Sequence, residues 1–297
     1  MSEFWSKKDK KILKTEFTRL NDMYRDLKKQ HGDNASKVML EYFLDNSYLF
    51  SNKYIIRALA ENENFSDILC YAIENIESVR EMNFEDNQNI AMICLLNGNS
   101  KVSYAASKFE KMCTHQDENG YNLGMWACIL GDEKLAIKTM KHIKSLSQLD
   151  HDGCTLGIVA TIFERPEVAN EFLKYPIQVL HQDKDGFNML MWAVTSQNKN
   201  PKLAEVVKNG LEKYPILTRQ TTTSGHNIGD LMMFHTDYYN EKKYMKIVNM
   251  EKLIDGKHNP FAISHDTLSK ETMRDQHIKS VKTKVVFEKD NKDELQK

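Results

Sequence analysis

Three glycines, Gly120, Gly153 and Gly186, stand 33 residues apart, each inside the same short stretch of chain. The stretches read Asp117-Glu118-Asn119-Gly120-Tyr121-Asn122, Asp150-His151-Asp152-Gly153-Cys154-Thr155 and Asp183-Lys184-Asp185-Gly186-Phe187-Asn188. Six residues past the glycine come Trp126, Val159 and Trp192, and seven past it Ala127, Ala160 and Ala193. Leu135-Ala136 and Val168-Ala169 keep the register fifteen and sixteen residues past. A unit this short cannot bury its own apolar face, so a period of this length implies a stacked helical solenoid.

These motifs resemble ankyrin repeats, whose pattern runs Asp-x-x-Gly-x-Thr-Pro-Leu-His-x-Ala-Ala-x-x-Gly before an apolar second helix. Asp117, Gly120, Ala127 and Gly131 fit it, as do Asp150, Gly153, Thr155 and Ala160, and then Asp183, Gly186, Leu190 and Ala193. The departures are consistent. Asn122 and Asn188 replace Thr, Leu123, Leu156 and Met189 replace Pro, and Met125, Ile158 and Met191 replace His. Gly124 and Gly157 fill the usual Leu position, which implies close approach of a neighbouring backbone or a propensity cost of about 1 kcal/mol.

The pattern extends, weaker, in both directions. Asn89–Cys94 matches Asn122–Ala127, which makes Asn87 the counterpart of Gly120 and Gly98 that of Gly131. Numbered from Asn87, the fourth copy carries a two-residue insertion in Asn198–Lys202 that moves its second helix to Leu203-Ala204. A fifth copy begins at Gly225, with Asn227 and Gly229 at the spacing of Asn122 and Gly124. The expected organisation is an N-terminal helical cap over 1–82, ankyrin-like repeats over 83–240, and a C-terminal helix with a charged tail over 241–297. In the cap, Leu13, Phe17, Leu20, Met23, Tyr24 and Leu27 trace one helical face, and His31-Gly32-Asp33-Asn34 breaks it. A second helix begins near Ser36, and Tyr54–Ala60 with Asp67–Ile76 reads as a degenerate helix pair. Beyond the repeats, Tyr244–Leu253 reads as a helix, Asp255–Pro260 as a turn and 280–297 as a mobile charged tail. The fold class is therefore all-α, an ankyrin-like solenoid with an N-terminal helical cap.

Composition excludes several functions. Hydrophobic content of 41% with 28% charged residues suits a globular chain, and 5 Pro and 12 Gly leave little for linkers. No signal peptide opens the chain, and no apolar run approaches the roughly 18 residues of a membrane span. Lys292–Leu295 spells a retention signal but is not terminal. Five cysteines with no paired spacing read as small buried residues of a reducing compartment, so the expected location is cytoplasmic, in the source cell or a host. Net charge of -1 and Asp-rich turns argue against nucleic acid. The lysines from Lys7 to Lys14 read as a solvated helix end.

Candidate chemistry is sparse. Asp150-His-Asp-Gly and Asp183-Lys-Asp-Gly look like calcium loops, but a bidentate Glu would be needed where Val159 and Trp192 stand. Those residues build tight turns instead, the glycine supplying a positive φ. Cys113 and His115 lack a second pair at metal-ligand spacing. Trp126 and Trp192, 66 residues apart, read as core, as do most methionines. No phosphate loop, nucleophile elbow or paired acid and base stands out, so no catalytic residue, cofactor, metal or small-molecule ligand is expected.

The resemblance implies instead a protein partner, gripped by the concave face of the array. In such proteins the residues flanking the glycine, and those after the Ala pair, line that face. By position they are Glu118, Asn119, Tyr121, Ile129 and Leu130, then His151, Asp152, Cys154, Ile162 and Phe163, then Lys184, Asp185, Phe187, Thr195 and Ser196. Tyr121, Phe163 and Phe187 would form an aromatic stripe with a polar rim. The Lys- and Asn-rich composition is associated with microbial or viral origin, and a free-standing array of that origin would be an effector engaging a host protein. The alternative is an enzyme, or a regulatory subunit of one, with its site in 218–297.

Overall fold

The computed structural model describes residues 6–196 and 200–235. The helix expected at Tyr244–Leu253, the turn at Asp255–Pro260 and the charged tail lie outside the described residues. Among those residues the architecture is all-α, and the only extended pairings are isolated antiparallel bridges at Asn83–Asn89, Gln182–Asn188 and Thr221–Asn227. The chain divides into two compact units after Trp126.

In the first unit, the helix Lys7–His31 opens with a reciprocal cap. Ser6 Oγ accepts from the Asp9 amide at 3.2 Å, and the Asp9 carboxylate accepts from the Ser6 amide at 3.0 Å. It ends at Gly32, whose φ of 56° turns the chain into Ala35–Asp45. Leu13, Phe17 and Leu20 are buried against the rest of the unit, while Lys8, Lys10, Lys11 and Lys14 face water. Helices Lys53–Leu59 and Ser66–Asn75 form the expected degenerate pair. The half-buried Arg57 guanidinium links this region to the first copy, donating to Glu61 at 2.7 Å and Glu85 at 3.1 Å.

That first copy departs from the glycine rule at its turn. Asp86 and Asn87 take φ of 52° and 57°, with Asn87 in the place of the turn glycine. Asparagine tolerates the left-handed region better than most residues, because its short side chain bonds locally. Helices Ile90–Leu96 and Ser100–Ala106 follow, and Cys94 is fully buried in the first.

The second unit carries the later copies. Helices Leu156–Ile162 and Pro166–Phe172 form the third, Met189–Ser196 and Leu203–Lys213 the fourth, and Ile228–His235 opens the fifth. The fourth copy is longer, since Gly186 and Gly225 stand 39 residues apart. Two extra residues precede its second helix, and that helix runs 11 residues against 7 in the third copy.

The glycine in the usual leucine position has a different cause from the one expected. A methyl group on Gly157 would fall onto the ring of Phe172, not onto a neighbouring backbone. The fourth copy inverts the sizes, with Leu190 in the first helix and Gly210 in the second, where a Cβ would meet Leu190 Cδ2 at 2.6 Å. The two helices of a copy thus fill one space with either partner supplying the bulk.

Candidate functional site

The turns at Gly120, Gly153 and Gly186 are each locked by one aspartate. Asp117 Oδ1 accepts from the amides of Asn119 and Tyr121, both at 2.9 Å. Asp150 Oδ1 does the same for Asp152 and Cys154, and Asp183 Oδ1 for Asp185 and Phe187, all between 2.8 and 3.0 Å. Gly120, Gly153, Gly186 and Gly225 take φ between 79° and 84°, which an L side chain rarely adopts. The residue two past each of these turn glycines then caps the following helix. Asn122 accepts from the Met125 amide at 3.0 Å, and Asn188 from Leu190 and Met191 at 2.9 Å.

That geometry explains why Asn displaces Thr. Asparagine also carries donors, which a threonine cap would replace with a methyl and a hydroxyl. Asn89 uses its amide to donate to the Met112 carbonyl at 2.9 Å, and Asn188 donates to Gln220 Oε1 at 2.8 Å. Gln220 passes the link on to the Leu180 carbonyl at 2.8 Å.

Successive turns are tied through their backbones. The Glu118 amide donates to the Asp86 carbonyl at 2.8 Å in the first unit. In the second, the Lys184 amide donates to Asp152 at 3.0 Å and the Thr223 amide to Asp185 at 2.9 Å. The histidines add side-chain ties: His115 Nε2 meets the Asn87 carbonyl, and His181 Nε2 meets that of Gly153 at 2.8 Å.

The expected binding residues fall into two groups. Glu118, His151, Asp152 and Lys184 are exposed, and Asn119 and Asp185 are half-buried. Tyr121, Phe163 and Phe187 are buried, at 3%, 8% and 4% exposure, so they form no aromatic surface stripe. The aspartate that closes each turn pulls the residue after the glycine back beneath it. Tyr121 then packs edge-on against Trp126, with centroids 5.7 Å apart, and Phe187 lies tilted against Trp192 with centroids 5.0 Å apart. Cys154, Ile129, Ile162 and Ser196 are also buried, leaving Leu130 and Thr195 half-buried.

One pairing escaped the sequence reading. Trp126 Nε1 donates to Asp117 Oδ2 at 2.9 Å, and Trp192 Nε1 to Asp183 Oδ2 at 2.7 Å. The signal was present, since Asp and Trp stand nine residues apart in both copies. Where Val159 replaces the indole, Cys154 lies beside Asp150, and burial with these acids pushes its thiol well up. Burial also raises Cys94 and Cys128, so these thiols stay protonated and unreactive. Among the described residues no group of three or more His, Cys, Asp or Glu is placed to hold a metal, and no helix is long and apolar enough to cross a membrane.

Capped helix pairs joined by aspartate-locked glycine turns, tied turn to turn through backbone bonds, define an ankyrin-like repeat fold. The chain matches no protein-family model and no curated protein. Among solved structures it is similar to EF0377, an ankyrin repeat protein, at 18% identity and a TM-score of 0.48, over 67% of this chain and 94% of that one. It is also similar to a chain of the Bd0816 predatory endopeptidase in complex with immunity protein Bd3460, from Bdellovibrio bacteriovorus. There the identity is 13% and the TM-score 0.49, over 66% of this chain and 97% of that one. The assignment rests on the chain's own repeat geometry.

Proposed function

We propose that the chain is a protein-binding module that grips its partner with the turn tips. The observation that carries this reading is the contrast within each tip. The backbone is fixed by the aspartate and by the neighbouring turn, whereas the side chains of His151, Asp152 and Lys184 are exposed, with Lys184 Nζ donating back to the His151 carbonyl. Side chains presented on an ordered backbone bind at a lower entropic cost than those on a mobile loop. The mixture of acids with His151 and Lys184 suits a polar partner surface. We extend the proposal to an effector acting in a reducing cytosol, which suits five cysteines that are all thiols.

The test is capture from candidate host lysate by the intact chain and by a His151→Ala/Asp152→Ala/Lys184→Ala variant. Circular dichroism checks that both are folded. A partner held by the first and lost by the second supports the tips. Equal capture by both removes them. The effector reading fails if the chain, tagged in its source cell, never reaches the cytosol of a co-cultured host.

A further inference from the structure

Large apolar side chains left in water are ordinary when scattered and informative when they recur at one place in a repeat. In the second unit, three isoleucines recur in this way. Ile143, Ile177 and Ile216 are 71%, 80% and 51% exposed. Each lies at the start of the short turn of helix that follows a copy's second helix: Ile143–Leu146, Pro176–Val179 and Pro215–Arg219. Ile177 and Ile216 share one register, and Ile143 stands one residue earlier, opposite Pro176 and Pro215.

These turns are braced. Tyr214 Oη donates to the Leu173 carbonyl at 2.6 Å, and Lys213 Nζ donates to the same oxygen at 2.8 Å. Tyr175, in the same register, reaches the Met140 carbonyl at 3.5 Å. Pro176 and Pro215 fix φ at the first residue of their turns. The isoleucines are therefore held out on ordered backbone.

The surroundings are basic. From Lys138 to Lys144 there are three lysines and no acid. Around the other two turns, Lys174, Lys213 and Arg219 stand against Glu171 and Glu212. Glu171 pairs with Lys174 at 2.7 Å and Glu212 reaches Lys208 at 4.0 Å, which leaves Lys213 and Arg219 to set the sign there. Lysine also recurs in strict register at 141, 174 and 213.

From this row we infer a second docking surface, whose occupant is an acidic, apolar-bearing segment of a partner protein. The isoleucines would take its apolar side chains, and the lysines would select its charge. Packed helices lie about 8–10 Å apart. A helical occupant, rising about 1.5 Å per residue, would therefore meet successive rungs roughly every five to seven residues. The inference rests on reading the chain as a binding module but uses residues separate from the tips.

A phage-displayed library of random 20-residue peptides, selected against the full chain, tests it. The expected result is enrichment of acidic peptides with spaced apolar residues. As synthetic peptides in fluorescence anisotropy, they should bind at least tenfold more weakly to Ile177→Asp and to Ile216→Asp. Both positions are in water, so both variants should keep the circular dichroism of the parent. Peptides that are not acidic, or that bind these variants unchanged, would overturn the inference. Peptides lost on the tip variant and kept by Ile177→Asp would also overturn it, while supporting the tips. Displacement of the enriched peptides by a synthetic 280–297 peptide would assign the row to the chain's own tail. A concentration-dependent dimer abolished by Ile177→Asp would assign it to a second copy, and either result sinks the partner.

Discussion

Asp183 holds three donors with two oxygens, the amides of Asp185 and Phe187 on Oδ1 and the Trp192 indole on Oδ2. Replacement by Asn keeps the first oxygen but turns an NH2 toward the indole N–H, leaving a buried donor facing a donor. We expect Asp183→Asn to cost about 1–3 kcal/mol in urea unfolding; a loss below measurement would remove the turn lock from the account. Burial raises the Asp183 pKa, and the indole and backbone donors offset only part of that rise. A carboxyl raised on folding makes the native state bind the extra proton, so its contribution to stability declines as pH rises through the native value. The advantage of wild type over Asp183→Asn should accordingly be larger at the acid end of the carboxylate range than at neutral pH. Glu164 is a second residue at odds with its backbone. It occupies the place of Gly131 one period on and takes a φ of 60°. Relief of roughly 1–2 kcal/mol of left-handed strain outweighs the ~0.4–1 kcal/mol of added unfolded-state entropy. Glu164→Gly should therefore raise the melting temperature slightly, and a lowered one would show that the side chain contributes more than the strain removes.

Between the two helices of a copy, the decisive quantity is shared volume. Gly157 clears space for the ring of Phe172, so Gly157→Ala forces a rearrangement that typically costs about 1–3 kcal/mol. In a double-mutant cycle the cost should shrink when Phe172 is already Leu, and full additivity would mean the two positions do not share that space. The sequence exposed this glycine as anomalous but not its reason. Phe172 lies fifteen residues on, in another helix, and only packing brings the two together. Local features were legible: the turn glycines, the core columns of Trp126 and Trp192, and the two-residue insertion before Leu203, whereas Asn122 and Asn188 showed only as replacing Thr and not as helix caps. What failed was the inference that Tyr121 and Phe187 face outward. Position in the repeat was read correctly, but direction is set by the bond from each turn aspartate to the amide after the glycine. The isoleucine row was missed for the opposite reason. Ile143 is one residue out of register with Ile177 and Ile216, so strict periodicity hides it until exposure is known.

At the scale of the array, stability is built from neighbour-to-neighbour terms, and this decides how damage spreads. The Lys184 amide binds the copy before, at Asp152, and the Asp185 carbonyl accepts from the copy after, at Thr223. Helix Met189–Ser196 packs against Leu156–Ile162, Leu203–Lys213 and Ile228–His235. In such a chain, stability approximates a sum of repeat and interface contributions, and a lesion weakens its own copy and those in contact with it. Trp192→Ala would open a cavity costing about 3–5 kcal/mol and leave Asp183 Oδ2 without its indole donor. Native-state hydrogen exchange should then show the greatest loss of amide protection in Met189–Ser196 and Leu203–Lys213. A smaller loss should follow in Leu156–Ile162 and Ile228–His235, and less still in Glu133–Thr139, whose contacts in the second unit run to the third copy. An equal loss at all five helices would mean that the unit unfolds as one body, and the additive picture of its copies would have to be abandoned. A graded loss would also localise any binding defect. A variant in the fourth copy could then weaken the tips at Lys184 while leaving His151 in place, which a single all-or-none unit could not do.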